Sequence, residues 1–138
     1  MTAVVVDTNV LVSLLLERNV EQQRLARGLF EAADADGAVL YLPQIALADL
    51  VFVLSGLYER TAGETHEILL DLLSHPGVSP VNDLPWPRLL ELWPKELPDF
   101  ADAALAAVAE ALRVEVVATF DRPLVRKLRK LGLRSYWA

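Results

Sequence analysis

Five aspartates carry the chemistry open to this chain. Asp7 follows the apolar run of residues 4–6, and Asp49 lies inside the apolar stretch LPQIALADLVFVL. Asp99 and Asp102 open the alanine-rich DFADAALAAVAEAL, and Asp121 follows VVATF. Taken singly, each has a plain explanation. Asp7 or Thr8 suits the cap of a following helix, Asp99 after Pro98 suits another, and Asp121 before Arg122-Pro123 a third. Asp49 either lies on a solvent stripe, meets an arginine, or serves a site. Asp99 and Asp102 are three apart and share a face of a first helical turn, where the helix dipole favours acids.

Taken together they imply more. Carboxylates that converge without cations repel and raise one another's pKa, a conflict that a hard divalent cation resolves. Oxygen-only ligands fit Mg²⁺ or Mn²⁺ rather than zinc. The chain has no cysteine, and His66 and His75 are its only histidines, so no thiolate or imidazole cluster argues otherwise. A metal held by carboxylates lowers the pKa of bound water and clamps phosphodiester oxygens during in-line displacement. No Ser/His/Asp set and no phosphate-binding glycine loop stands out.

The elements that must position these acids are strands alternating with helices. Residues 4–6 are β-branched without polar alternation, as in a strand buried on both faces of a parallel sheet. Further strands are expected at 39–42, 78–81, 115–118 and 134–136. Helices are expected at 10–16, 20–33, from Pro43 to 54, at 64–74, 86–93, 99–112 and 123–131. This alternation predicts an α/β fold, a three-layer α/β/α sandwich with a central parallel sheet, in a single domain over residues 1–138. Asp7, Asp102 and Asp121 then fall at strand ends or helix starts on the side where such a sheet exposes its loops, and Asp49 follows the second strand.

Charge and hydropathy narrow the setting. Between Arg113 and Arg134 seven basic residues meet two acidic ones, a balance of +5 in a chain of net charge −6. That asymmetry permits a phosphate-facing surface on an acidic body, although from charge alone it equally describes a solvated helix face. Residues 37–58 carry a single charge, Asp49, but Pro43, Gln44, Ser55 and Gly56 divide the run, so no membrane span is expected. The absence of cysteine and of a signal-peptide pattern makes the cytoplasm the expected compartment.

The blocks DTNVLVSLLL, LPQIALADLVFVL, DFADAALAAVA and VVATFDRPLVRKL, in this order and over nearly the whole chain, resemble PIN-domain ribonucleases, particularly the toxin half of VapBC-type toxin–antitoxin pairs. The resemblance implies an endoribonuclease dependent on Mg²⁺ or Mn²⁺. By position it implies Asp7, Asp49, Asp102 and Asp121 as catalytic acids and metal ligands, with Asp99 as an auxiliary ligand. Asn9 and Thr119 become supporting neighbours of the metal shell. In the family the helix acid is usually glutamate, and Asp49 is one methylene shorter. Homodimerisation and inhibition by a cognate antitoxin also follow from the resemblance. Arg122, Arg126 and Lys127 would then meet RNA phosphates or an acidic antitoxin, and Trp86, Trp93 and Trp137 would pack in the core or stack on bases.

Two other readings stand beside this one. The shortened acid at position 49 suits a PIN-like nucleic-acid or protein binding module with impaired catalysis. A haloacid-dehalogenase-like phosphatase would use Asp7 as nucleophile, but such enzymes carry a second aspartate two positions on, where this chain has Asn9.

Overall fold

The computed structural model describes residues 1–137. At its centre is β1 (Thr2–Val6), where Val4, Val5 and Val6 have no solvent exposure. Their side chains alternate between two cores, Val4 and Val6 in one and Val5 in the other. Each such buried valine contributes about 2 kcal/mol relative to exposure. The strand pairs in parallel with β2 (Ala38–Pro43) on one side and with β4 (Val116–Ala118) on the other. Outside these lie β3 (Val78–Val81) and the short β5 (Arg134–Ser135), giving a five-stranded parallel sheet of order β3-β2-β1-β4-β5.

Helices cover both faces. One core takes residues from α1 (Thr8–Leu15), α2 (Val20–Asp34), α3 (Gln44–Phe52) and α4 (Ala62–Ser74). The other takes residues from α5 (Trp86–Leu92), α6 (Phe100–Ala111) and α7 (Arg122–Lys130). The result is the three-layer α/β/α sandwich that the alternation predicts. Ala103, Ala104, Ala106, Ala107 and Ala109 of α6 are all buried, so their small side chains let this helix lie close to the sheet. Arg88 of α5 clasps Glu110 of α6, with Nε to Oε2 at 2.6 Å, and fixes the pair of helices.

The strand order reverses at β1. After β1 the chain crosses to β2 and β3, whereas β4 and β5 occupy the opposite side. The connections leaving β1 and β4 therefore diverge, which opens a crevice at their carboxyl ends. Asp7 is the residue after β1, and Thr119, Phe120 and Asp121 follow β4. The Asp7 amide donates to the Ala118 carbonyl at 2.9 Å, carrying the β1–β4 ladder to the lip of that crevice.

Several boundaries differ from the sequence reading. The first helix starts at Thr8 rather than 10, because Asp7 caps it by accepting from the Thr8 amide. The fourth starts at Ala62, two residues early, because Thr61 and Glu64 form a reciprocal capping box. Strand β2 runs on through Pro43, and the helix expected to reach 54 stays α-helical only to Phe52. A π-helical turn, Val53–Leu57, follows across Ser55 and Gly56, residues that hold α-helix geometry weakly. Among the described residues no helix is long and apolar enough to cross a membrane.

Candidate active site

The crevice between β1 and β4 is built around the Asp7 carboxylate. Oδ1 accepts from the Thr8 amide at 2.7 Å, and Oδ2 accepts from the Thr119 hydroxyl at 2.8 Å and from Asn9 Nδ2 at 3.2 Å. Asn9 also donates to Thr119 Oγ1 at 3.2 Å and accepts from the Phe120 amide at 3.1 Å through Oδ1. Thr119 Oγ1 accepts in turn from the Asp121 amide at 3.1 Å. With one donor and two acceptor positions in use, this buried hydroxyl is fully satisfied. These bonds close a latch between the segment after β1 and the segment after β4, and they fix the Asp7 rotamer without neutralising its charge.

The other acids reach the crevice from separate elements. Asp121 caps α7, its Oδ1 accepting from the Leu124 amide at 3.1 Å. Asp99 is exposed and caps α6, accepting from the Asp102 amide at 3.0 Å. Asp102 stands in the first turn of α6, half-buried. Asp49 lies on α3, which packs beside α1 with Thr8 Oγ1 3.5 Å from the Ala46 carbonyl. It is exposed, so solvation meets the cost of a charge in the middle of an apolar helix.

Electrostatics connects the set. Burial pushes the Asp7 carboxyl above its ordinary value of 3.8, and the charges of Asp121 and Asp49 push it further, against hydrogen bonds from Thr119 and Thr8. Asp102 is pushed up to about 7, first by burial, then by the charges of Asp99, Asp7 and Asp121, with Lys127 opposing. Asp7, Asp49, Asp99, Asp102 and Asp121 thus form one electrostatic neighbourhood linked through Asp7 and Asp102. It is open rather than closed. Among the described residues no three His, Cys, Asp or Glu side chains converge into a ready metal cage. The donor set still fits a hard cation: all-oxygen, anionic and mutually repelling.

The basic residues divide. Lys127 lies on the acid side, where its charge acts on Asp102. Arg122 and Arg126 line a cavity of about 660 Å³, together with Arg129, Phe120 and Trp137. Of the three tryptophans, Trp137 stacks on Phe120, whereas Trp86 and Trp93 both pack around Phe100. Arg129 belongs to the same basic run of the sequence, and its spacing of seven from Arg122 puts it on a shared helix face. Arg18 is a residue the sequence does not single out: its Nη2 donates to the Asn9 carbonyl at 3.2 Å and its Nε donates to Ser13 at 3.3 Å. No spacing marks that contact.

A five-stranded parallel sheet flanked by helices, with Asp7 and Asp121 in the segments that leave its two central strands, defines the class. The PIN domain family model matches residues 4–130, and the chain belongs to that family. In structure the chain is similar to PAE2754 from Pyrobaculum aerophilum, with a TM-score of 0.67 and 20% identity over 97% of this chain and 83% of that one. It is also similar to the PIN domain endonuclease Utp24, with a TM-score of 0.54 and 16% identity over 96% of this chain and 82% of that one. At such identities these likenesses speak for the fold. Comparison with curated proteins gives no match.

Proposed function

We propose that this chain is an endoribonuclease that cleaves RNA phosphodiester bonds with Mg²⁺ or Mn²⁺, and that it is the toxin of a type II toxin–antitoxin pair. Membership of the PIN family and the likeness to a PIN domain endonuclease support the nuclease class. The observation that carries the reading is that Asp7, held by Thr119, and Asp121, whose amide bonds the same hydroxyl, both lie near enough for their charges to act on Asp102, 95 positions from Asp7 in sequence. Asp7, Asp49, Asp102 and Asp121 would hold the cation, with Asp99 beside them. Their open spacing suits Mg²⁺, which retains several of its waters. When bound, the cation supplies charge for the phosphate oxygens and an acidified water.

The chain's own residues do the rest. Asn9 and Thr119 hold Asp7 in one orientation, so its oxygens need not reorganise on binding. Asp102 must shed the proton that burial first, and then its neighbours' charges, favour on it before it can serve as a ligand. Arg122, Arg126 and Lys127 border the acids and neutralise flanking phosphates. Phe52 and Leu57, each 75% exposed, lie on α3 and the turn after it, and this apolar face supports pairing with a second copy. A cognate antitoxin would cover the crevice and its basic border, and the cytoplasm is the setting in which such a pair would act.

The test is cleavage of single-stranded RNA with Mg²⁺ or Mn²⁺ by Asp7→Asn and Asp102→Asn, with circular dichroism as the folding control. Both variants should fold and lose activity by at least about a hundredfold, on the scale of losing a positioned electrostatic group. Full activity in both would refute the assignment. A second reading, a binding module with impaired catalysis, draws support from the exposed and shortened acid Asp49. Asp49→Glu separates the two: a large gain in turnover favours the impaired module, whereas clear wild-type turnover excludes it.

A further inference from the structure

The cavity of about 660 Å³ lies where the two helical layers approach each other past the sheet's edge, between α7 and the start of α2. Its walls combine three kinds of group. Arg122, Arg126 and Arg129, at spacings of four and three, put three guanidinium groups on one face of α7. Opposite them, Asn19 and Gln22 line the cavity from α2. The Asn19 side chain caps α2 through Oδ1 and the Gln22 Oε1 accepts from Ser13, so the amide nitrogens of both remain as donors. At the back, Phe120 and Trp137 stack with centroids 4.6 Å apart and planes 17° from parallel. Among the described residues the one carboxylate on the wall, Glu21, is held by Arg24 at 2.5 Å.

This is a cationic, aromatic cavity on a chain of net charge −6. It also touches the acid crevice directly, since Thr119 both lines it and donates to Asp7. Its volume falls within the range of small-ligand sites and accommodates a nucleotide. Guanidinium groups bind phosphates in a bidentate way, and an aromatic stack offers a platform to any unpaired base. The side-chain amides supply donors for a base edge or a ribose hydroxyl.

We propose that this cavity is a nucleotide subsite for single-stranded nucleic acid, holding an unpaired base against the Phe120–Trp137 stack and its phosphates on Arg122, Arg126 and Arg129. The strand then runs past Thr119 and brings the next phosphodiester to the acid crevice. This rests on the nuclease reading for the identity of that crevice, but binding at the subsite needs no cleavage. A duplex, whose bases are already stacked and paired, is excluded from the platform.

The test is fluorescence anisotropy with a labelled ten-nucleotide single-stranded RNA in EDTA, where no turnover occurs, repeated over a salt series. Arg126→Gln/Arg129→Gln should weaken binding by at least about tenfold and flatten the slope of log affinity against log salt by about 1.4, or about 0.7 for each phosphate no longer neutralised. Trp137→Ala should weaken it by at least about fivefold at unchanged salt slope, and Trp137→Phe should restore much of the loss. The matching duplex should bind about tenfold more weakly than the single strand. Unchanged affinity and slope in the arginine pair would overturn the proposal, and so would equal binding of duplex and single strand. Binding of an acidic peptide, lost in the arginine pair while RNA binding persists, would overturn it in favour of a protein partner. Because no metal is present, loss of RNA binding in these variants stands even if Asp7→Asn still cleaves, so the two readings fail separately.

Discussion

The Thr119 hydroxyl donates to Asp7 Oδ2 at 2.8 Å, joining residues 112 positions apart and locking the end of β1 to the segment after β4. The same oxygen accepts from the Asp121 amide at 3.1 Å, so one hydroxyl sets the position of two of the proposed ligands. A fold that places its two central strands side by side makes this contact possible. The residue types at positions 7, 9 and 119 complete it.

Replacing Thr119 with Val keeps the shape and removes the latch. The part-buried Asp121 amide then loses its acceptor, at a cost of about 1–3 kcal/mol. The melting temperature should fall by about 5 °C. RNA cleavage should fall by more than tenfold, because Asp7 is no longer held, and Thr119→Ser should keep most of it. Thermal melts beside cleavage rates check this, and unchanged cleavage in the Val variant would show that Asp7 needs no such support.

Asp102 makes the metal-free protein pH-sensitive. Its carboxyl is raised from 3.8 to about 7 in the folded state, so between those values the folded chain binds more protons than the unfolded chain. The contribution of this group to stability therefore falls as pH rises through that window. Asp102→Asn removes the penalty. Solvent screening at a half-buried site leaves about 1 kcal/mol, so in EDTA at pH 8 the variant should melt about 3 °C above the wild type and match it near pH 4. Melting curves from pH 4 to 8 measure the difference. A variant less stable at pH 8 would show that burial and repulsion do not disfavour the charged Asp102.

Asp49, being exposed, should be dispensable for folding. Asp49→Ala should leave stability within about 0.5 kcal/mol and still reduce RNA cleavage by about tenfold. Chemical denaturation and an activity assay on one preparation suffice, and undiminished cleavage would remove Asp49 from the site.

The sequence showed the sheet plainly, because residues 4–6 have to be buried on both faces and residues 116–118 behave alike. The grouping of acids by strand end was legible for the same reason: in a parallel sheet the loops after the strands share one edge. Boundaries were less so. The Thr61–Glu64 capping box and the π-helical turn depend on reciprocal hydrogen bonds and local backbone geometry, which apolar periodicity does not report. The exposure of Asp49 was hidden because an apolar helix fragment does not say which side faces solvent. The aromatic pair Phe120 and Trp137, 17 positions apart, meets only because β4 and β5 pair.

The most direct test of the account is calorimetric titration of Mn²⁺ into the metal-free protein and into Asp7→Asn, Asp102→Asn and the double variant. One gathered site predicts saturable binding to the wild type, a loss of at least about tenfold in each single variant, and a double variant whose loss falls short of the sum of the two in free energy. Wild-type affinity in both single variants, or fully additive losses, would contradict the claim that these acids hold a common ion.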